Sequence, residues 1–422
     1  MLRIRRFVHD NTWLVAIVGL AFLVRVLWML VAQPTPVSDW HAYRQLAADL
    51  LDHHQFGYPD RTTFYLPVHP VHLALWSLIS RSDLWLALSS VVLSTASVGL
   101  IYAVGVRVHG NRRTALFAAA LFAFLPIFIL FSPVLATEHL FIVLMLSAML
   151  LLLEAEGRGL LVTVLVGVFA GLAMLTRGEG VFYAPALIVY VWAGSGIPGV
   201  RRRVKSTLLI AMGIAIVVVP WYVRNATIGS ADTGLSSGAG INFYFAHNDS
   251  GIYGWYPEGS PLEGLDAEQA NRRGWELGIA YLKEHPADFI SDIGFGTVEL
   301  LKTPRYALFW STRGLTPGED PLDPASFVEQ EVPFERLLEA ALAVPVLLVL
   351  SGAALLALRS WQRPVWWLIV PLIGSSWILR TVLYWAKPRY GYFIHVMLVF
   401  IAAIALSSIV EANRRAPQMP TV

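Results

Sequence analysis

Long runs of apolar residues, separated by short polar segments, dominate the sequence. A helix needs about 20 apolar residues to cross the hydrocarbon core of a bilayer. This criterion predicts ten membrane spans, at residues 11–32, 84–108, 114–131, 139–153, 160–176, 181–193, 206–223, 337–358, 365–385 and 392–410. The fourth and sixth runs are short, so they are tilted, re-entrant or wrongly bounded. The pattern indicates an all-α polytopic membrane protein with about ten transmembrane helices and juxtamembrane helices on its outer face.

The composition supports this class and excludes several others. Hydrophobic residues make up 56% of the 422 residues and charged residues only 14%. Soluble globular chains are nearer half apolar and a quarter charged. The shortage of charge excludes a disordered protein, a nucleic-acid-binding protein and an ordinary soluble enzyme. The chain has no cysteine, which excludes disulfides, thiolate metal sites and cysteine nucleophiles.

The distribution of Lys and Arg predicts the orientation. Cytoplasmic loops of membrane proteins are enriched in these residues. With the N-terminus inside, the inner segments carry clusters such as Arg201–Arg203, whereas the short outer loops carry only Arg177, Lys387 and Arg389. Both termini are therefore predicted to be cytoplasmic, in a bacterial or archaeal plasma membrane. No small-residue cleavage site follows the first apolar run, so we predict no cleaved signal peptide.

Two long segments, 33–83 and 224–336, then face outward and hold most of the acidic residues. We divide the chain into an N-terminal transmembrane module (1–223, with the first outer loop 33–83), a large outer loop (224–336) and a C-terminal transmembrane module (337–422). No internal repeat is evident in the sequence.

Both outer segments are predicted to contain helices. The first has a helix over 39–52 and then a turn-rich stretch. The second is rich in Gly, Ser and Asn to about Pro261, and amphipathic helices follow at 267–284 and 286–301. Asp266 is placed to cap the first of these. Four apolar or aromatic residues of that helix are expected against the membrane surface, namely Trp275, Ile279, Tyr281 and Leu282.

Two acidic residues lie at the predicted outer surface. Asp39 follows span 1, and Ser38 is placed as the N-cap of the next helix. Asp39 either satisfies this helix end or accepts the proton of a hydroxyl group, as a general base, while that hydroxyl attacks. Glu138 lies before span 4, and it is either a cap for that span or a second acid facing the same cavity.

Arginines lie on the same side as these acids. Arg177 either forms a local ion pair or binds an anion. Arg25 and Arg380 fall near the outer ends of spans, and snorkelling to the interface is the alternative reading for each. Arg389 and Lys387 precede the last span. The planar guanidinium binds phosphate oxygens with two parallel hydrogen bonds, so this cluster favours a phosphate-linked substrate.

The acids and arginines together suggest a transferase at the membrane surface. Four histidines in the first outer loop could be considered as metal ligands, namely His53, His54, His69 and His72. Their spacing matches no recognisable ligand set. We therefore predict no metal site and no cofactor, with a divalent metal as the alternative.

The order of several motifs resembles a known family. The motifs are Asp39 after span 1, Tyr65–Pro70 before span 2, Glu138, Thr176–Gly180, Pro220–Asn225, Gly240–Asn248 and Pro388–Tyr390. Their order and their placement between spans resemble the membrane glycosyltransferases of the GT-C superfamily. The most similar branch contains protein O-mannosyltransferases and the lipid A aminoarabinose transferase, and is glycosyltransferase family 39-like.

This resemblance implies a sugar donor carried on a polyprenyl or dolichyl phosphate, and attack by an acceptor hydroxyl with inversion. It implies that Asp39 is the base and that Glu138 is the second acid. The donor phosphate is expected at Arg177, Arg380 and Arg389, with Arg224 as a fourth candidate. Further substrate-binding residues are expected at Tyr65, His69, His139, Glu179, Asn242, Tyr244, His247, Asn248, Lys387 and Tyr390. The acceptor is a hydroxyl of a glycan, a lipid or a protein, and no nucleic acid is involved.

The sequence also departs from the family pattern. Trp40 follows Asp39 where many members have an acidic pair. Ala246–His247–Asn248 stands for a usual Gly-Asn, and Pro67–Val68–His69 stands for a double proline. The identities of the donor sugar and the acceptor stay open. We expect 224–336 to cover the cavity and select the acceptor, the alternative being a rigid cap.

Two other functions are alternatives. One is a transporter or flippase of a lipid-linked sugar, and the other is a glycan polymerase or ligase. Transporters often contain internal repeats and broken helices at the membrane midplane. The sequence has no evident repeat, and its candidate residues gather on one face, which favours an enzyme.

Overall fold

The computed structural model describes residues 11–57, 63–155, 159–229, 234–248, 259–301, 303–312, 314–315, 327–328, 349, 351–355, 364–384, 386 and 388–415. Its α-helices are α1 Thr12–Ala32, α2 Asp39–Asp52, α3 Val68–Ser77, α4 Asp83–His109, α5 Arg112–Phe124, α6 Pro126–Leu130, α7 Thr137–Glu154, α8 Leu160–Met174, α9 Gly180–Val189, α10 Val200–Ile228, α11 Ala239–Ala246, α12 Ala267–Glu284, α13 Pro286–Leu301, α14 Thr303–Ser311, α15 Val370–Ile378 and α16 Tyr392–Arg415. A two-residue strand β1, Gly314–Leu315, pairs antiparallel with β2, Phe327–Val328.

Short π-helical and 3-10 turns extend several of these helices. A π-helical turn, Tyr190–Gly194, continues α9, and two more, Val365–Ile369 and Leu379–Leu383, flank α15. A 3-10 turn, Pro388–Gly391, leads into α16. The part of the chain that the structure describes is therefore all-α apart from one short β pair, as the sequence predicts.

Six helical segments of the described chain are long and apolar enough to cross a membrane, namely Thr12–Ala32, Asp83–His109, Thr137–Glu154, Val200–Ile228, Val365–Leu383 and Arg389–Ala412. They coincide with six of the predicted spans, including the short fourth one. Two more predicted spans are shorter apolar helices, Leu160–Met174 and Gly180–Gly194. The predicted span 337–358 lies largely outside the described residues.

The third predicted span, 114–131, is wrong as one continuous helix. It breaks at Leu125, whose backbone is extended (φ −66°, ψ 133°) before Pro126. A residue before proline is sterically pushed out of the helical region. Pro126 also has no N–H to donate to the carbonyl oxygen of Phe122. The helix-breaking effect of Pro126 therefore overrides the apolar pattern from which one continuous span was predicted.

Arg25 donates hydrogen bonds to carbonyl groups at this break. Its guanidinium donates to the carbonyl oxygens of Phe122 (3.0 Å) and Ala123 (2.9 Å), and its Nε donates to the hydroxyl of Ser94 (2.9 Å). The side chain is fully buried. Arg25 therefore does not snorkel, and it supplies donors to carbonyl groups that have no water to bind inside the bilayer.

The first outer loop contains more helix than predicted. Helix α2 has the predicted bounds, but the Ser38 side chain makes no capping bond, because its backbone has φ 54° and ψ −137°. The stretch predicted as turn-rich contains α3, which begins at Val68 directly after Pro67. Proline is tolerated in the first turn of a helix, so the prolines here mark a helix start.

The Gly-rich part of 224–336 also contains a helix, α11, which the sequence reading missed. Glycines let it approach α12 closely, since a Cβ on Gly240 would lie 2.0 Å from the carbonyl oxygen of Asn271. Trp275 stacks on Phe243 with ring centroids 4.5 Å apart. Trp275 therefore packs on α11, which corrects its predicted membrane contact, whereas Ile279 remains 44% exposed.

The predicted cap of α12 is confirmed. Asp266 Oδ1 accepts hydrogen bonds from the backbone N–H groups of Glu268 (2.9 Å) and Gln269 (2.8 Å). These bonds satisfy two of the N–H groups that a helix start leaves without a partner.

Candidate active site

A cavity of about 520 Å³ opens where several helices end on one side of the bundle. Helices α1 and α8 run towards this side, and α7, α9 and α16 begin there. Five of its lining residues are predicted charged ones, namely Asp39, Arg177, Glu179, Arg380 and Arg389. The turns between helices thus bring together side chains from distant parts of the chain.

Asp39 and Arg389 form an ion pair across the cavity. Arg389 Nη2 lies 2.9 Å from Asp39 Oδ2 and 3.1 Å from the hydroxyl of Tyr390. The side chain of Asp39 is 27% exposed and that of Arg389 is 19% exposed. Both groups are therefore accessible to a ligand that enters the cavity.

Trp40 anchors the backbone next to Asp39. It is buried and packs edge-on against Trp310, with ring centroids 4.5 Å apart, and against Phe131 at 6.4 Å. On the other side, Ser38 has a positive φ, a region that non-glycine residues adopt only when surrounding structure holds them there. Trp40, at the position where the family resemblance implies an acidic residue, is thus a core residue.

A second group of charges lies deeper. Glu179 accepts from Arg177 Nε at 2.5 Å and also pairs with Arg380. Arg177 Nη1 lies 2.6 Å from Glu138 Oε1 and donates to the hydroxyl of Thr137 at 2.7 Å. These four charged side chains are all 10% exposed or less. Glu138, predicted as an acid facing the cavity, lies behind Arg177, and the cavity lining does not include it.

The deep pairs fix the ionisation of their members. Burial by itself would raise the pKa of Glu179, but the adjacent Arg177 and Arg380 lower it to about 2. Burial would lower the pKa of Arg177, but Glu138 and Glu179 raise it above its ordinary value. At neutral pH both groups are therefore charged, and Glu179 holds two guanidinium groups in place.

Tyr390 lies at the centre of the three arginines. The guanidinium carbon of Arg380 is 3.7 Å from its ring centroid, and those of Arg389 and Arg177 are at 5.0 Å and 5.7 Å. A guanidinium within about 6 Å of an aromatic ring is attracted to the ring face. Tyr390, predicted as substrate-binding, thus orients the arginine cluster and also lines the cavity.

Other predicted site residues divide into two groups. Tyr65, Glu179 and Asn242 line the cavity. Arg224 does not line it, since its Nη2 donates to the carbonyl oxygen of Phe56 at 2.7 Å and its guanidinium lies 4.4 Å from the ring of Trp221. The structure therefore separates Arg224 from the three other predicted phosphate ligands.

The predicted histidines lie in packed regions instead of the cavity lining. His69 Nε2 is 3.1 Å from the carbonyl oxygen of Leu135, and burial lowers the pKa of His69 to about 3, so the ring is neutral. His139 Nε2 is 3.0 Å from the carbonyl oxygen of Phe131. His247 is buried against Phe243, with ring centroids 4.7 Å apart.

Two further predicted residues lie on or near the end of α11. Tyr244 packs against a hydrophobic cluster, and Asn248 Nδ2 donates to the Tyr244 carbonyl oxygen at 3.0 Å. Neither residue lines the cavity. Lys387 lies outside the described residues. Within the part of the chain that the structure describes, no group of three or more His, Asp, Glu or Cys side chains could hold a metal ion.

The sequence analysis predicted Tyr65 and Tyr390 but missed most of the other aromatic residues of the cavity. The lining also contains Tyr43, Phe64, Phe182, Trp275 and Tyr384. Tyr43 lies four residues after Asp39 on α2, and residues at that spacing share a helix face, so this one could have been found. Burial, and secondarily the charge of Asp39, raise the pKa of Tyr43 well above its usual range, so its phenol stays neutral. Aromatic rings beside charged groups suit a ligand with both apolar and polar faces.

Residues 66–223 match the family model of the dolichyl-phosphate-mannose-protein mannosyltransferases. No curated protein sequence matches the chain. The archaeal oligosaccharyltransferase AglB from Archaeoglobus fulgidus, in complex with an inhibitory peptide and a dolichol-phosphate, is similar with a TM-score of 0.54 and 15% identity over 98% of this chain and 53% of that chain. A structure of the Archaeoglobus fulgidus oligosaccharyltransferase in the apo form gives a TM-score of 0.50 and 15% identity, over 96% of this chain and 51% of that chain.

ArnT from Cupriavidus metallidurans bound to undecaprenyl phosphate gives a TM-score of 0.44 and 15% identity, over 97% of this chain and 82% of that chain. The chain spans about half the length of the archaeal structures that it resembles. The family match and the fold together confirm the resemblance to the GT-C glycosyltransferases, and the chain is an integral membrane protein with the GT-C fold.

Proposed function

We propose that this protein is an inverting glycosyltransferase that moves a sugar from a polyprenyl or dolichyl phosphate to an acceptor hydroxyl on the outer face of the membrane. The observation that carries the proposal is the single cavity that joins Asp39 to Arg177, Arg380 and Arg389. The mannosyltransferase family match over 66–223 supports it, as does the dolichol-phosphate bound to the archaeal relative.

The reaction needs a base and a stabiliser of the leaving group. The acceptor oxygen forms a bond to the anomeric carbon while the bond from that carbon to the phosphate oxygen breaks. The carboxylate of Asp39 takes the hydroxyl proton within the transition state. The lipid phosphate departs with one more negative charge, and prepositioned arginines stabilise that charge more in the transition state than in the ground state.

The charges around the cavity favour a donor with one phosphate. Glu138 and Glu179 already pair with Arg177 and Arg380 in buried positions, with exposures of 7% and 6%. Only the Asp39–Arg389 pair is substantially accessible among these contacts. An incoming phosphodiester would compete with Asp39 for Arg389. Donor binding would thereby release Asp39 towards the acceptor.

The large outer loop, 224–336, also lines the cavity. Leu235, Ser236, Asn242 and Trp275 all belong to 224–336 and line the cavity. An amide and an indole ring can bind the hydroxyl groups and the apolar face of a sugar. These contacts support the expectation that this segment contacts the acceptor.

The test is a transfer assay with purified protein in lipid nanodiscs, radiolabelled polyprenyl-phosphate sugars and glycan, lipid and peptide acceptors. We expect Asp39→Asn to lower turnover by about 10²–10⁴-fold, because the amide cannot accept the proton. Asp52→Asn is the matched control, since Asp52 lies on the same helix and pairs with Arg81 at 2.6 Å, away from the cavity. Wild-type turnover in Asp39→Asn would refute the assignment of the base, and transport of an intact donor without transfer would favour a flippase.

A further inference from the structure

A second cavity, of about 600 Å³, lies at the end of the bundle opposite the candidate active site. Its lining combines Asn11, Tyr102, Ala103, Val106, Arg107, Arg112, Leu150 and Glu154. Helix α7 runs between the levels of the two sites, because Glu138 lies in its first turn and Glu154 is its last residue. At 1.5 Å per residue these acids are about 24 Å apart, most of the roughly 30 Å thickness of a bilayer core.

The lining changes from apolar to charged along the helices. Ala103, Val106 and Leu150 lie further from the helix ends than Arg107 and Glu154 do. A ligand in this cavity would therefore meet apolar walls towards the membrane interior and charges at the membrane surface. A phospholipid at the bilayer interface has this same order of chemistry.

The charged mouth favours a phosphate group. Arg107 Nη2 lies 2.7 Å from Glu154 Oε1, so this ion pair orients the guanidinium. Arg112 is exposed, and none of the described contacts pairs it with a carboxylate. It is also the first residue of α5, where the helix dipole favours an anion. Among the described residues, the lining side chains carry two positive charges and one negative charge.

We infer that this cavity binds the phosphate headgroup of an anionic phospholipid, taken from the leaflet opposite the candidate active site. Arg112, assisted by Arg107, binds the phosphate oxygens, and Val106 and Leu150 contact the start of an acyl chain. Basic pockets between transmembrane helices are suited to such headgroups. The apolar walls distinguish a lipid from a free phosphate ion. The inference stands independently of the proposed glycosyl transfer.

The test is native mass spectrometry of the full chain released from micelles containing phosphatidylglycerol or phosphatidylcholine with identical acyl chains. We expect phosphatidylglycerol to be retained, and Arg112→Gln to weaken its apparent affinity by about tenfold or more, as expected when a charge-assisted phosphate contact is lost. Arg113→Gln is the matched control, because Arg113 is adjacent and does not line the cavity. Arg112→Lys is expected to show an intermediate loss, because it keeps the charge without the planar fork.

Three results would overturn the inference. The first is equal retention of phosphatidylcholine. The second is equal loss of phosphatidylglycerol in Arg112→Gln and Arg113→Gln. The third is a rise in the melting temperature with inorganic phosphate alone that matches the rise with phosphatidylglycerol, since this would indicate a free-anion site.

Discussion

At the scale of single residues, the contrast between the two kinds of ion pair is informative. Glu179 is buried and bonded to two arginines, whereas Asp39 is 27% exposed and has one arginine contact. Removing one member of a buried pair leaves an uncompensated charge, which is strongly destabilising. Exchanging the partner of an accessible pair costs far less. The structure therefore suits Glu179 to positioning the arginines and Asp39 to accepting a proton from the substrate.

This contrast predicts that a variant with lower transferase activity, Asp39→Asn, binds the lipid phosphate more tightly. In Asp39→Asn no carboxylate competes for Arg389, so we expect polyprenyl phosphate to bind about tenfold more tightly, or about 1.4 kcal/mol. The measurement is the dissociation constant in detergent by microscale thermophoresis, with Asp52→Asn as the unchanged control. Unchanged or weaker binding in Asp39→Asn would reject the exchange of partners at Arg389 and would leave the role of Asp39 as a base intact.

At the scale of helices, the break between α5 and α6 depends on two residues from different spans. Arg25 donates to the carbonyl oxygens of Phe122 and Ala123, and Pro126 removes the N–H that would otherwise reach Phe122. A buried carbonyl left without a donor costs about 1–3 kcal/mol. We expect Arg25→Met to lower the melting temperature in detergent markedly, with the exposed Arg273→Met as control.

A double-mutant cycle tests this pairing. Pro126→Ala supplies an N–H to the Phe122 carbonyl group, so it should recover part of the stability lost in Arg25→Met. The expected coupling between the two changes is about 0.5–3 kcal/mol, whereas independent changes add within about 0.5 kcal/mol. Additive effects would show that Arg25 does not compensate for the proline.

At the scale of the whole molecule, hydrophobicity predicts the depth of a residue in the membrane but not the direction its side chain faces. Asp39, Arg177 and Arg389 lie just outside apolar runs and Arg380 lies near the outer end of one, all on one side, so their common level was predictable, and they do share a cavity. Arg224 is also near that side, but tertiary contacts turn it towards Phe56.

Helices α3 and α11 were not predicted for a related reason. Pro67 and Pro70 flank the start of α3, and Gly238 and Gly240 flank the start of α11. Locally these residues favour turns. In the folded protein they allow a helix start and a close helix contact, and both depend on neighbouring helices that no local pattern specifies.

The most direct measurement is a cryo-electron microscopy structure of the full chain with bound polyprenyl phosphate. We expect phosphate oxygens within about 3 Å of the Arg389 guanidinium. We also expect an opened Asp39–Arg389 contact and retained pairs between Glu179 and its two arginines. A phosphate bound away from this cavity, or bound there with Asp39 still paired to Arg389, would contradict the account.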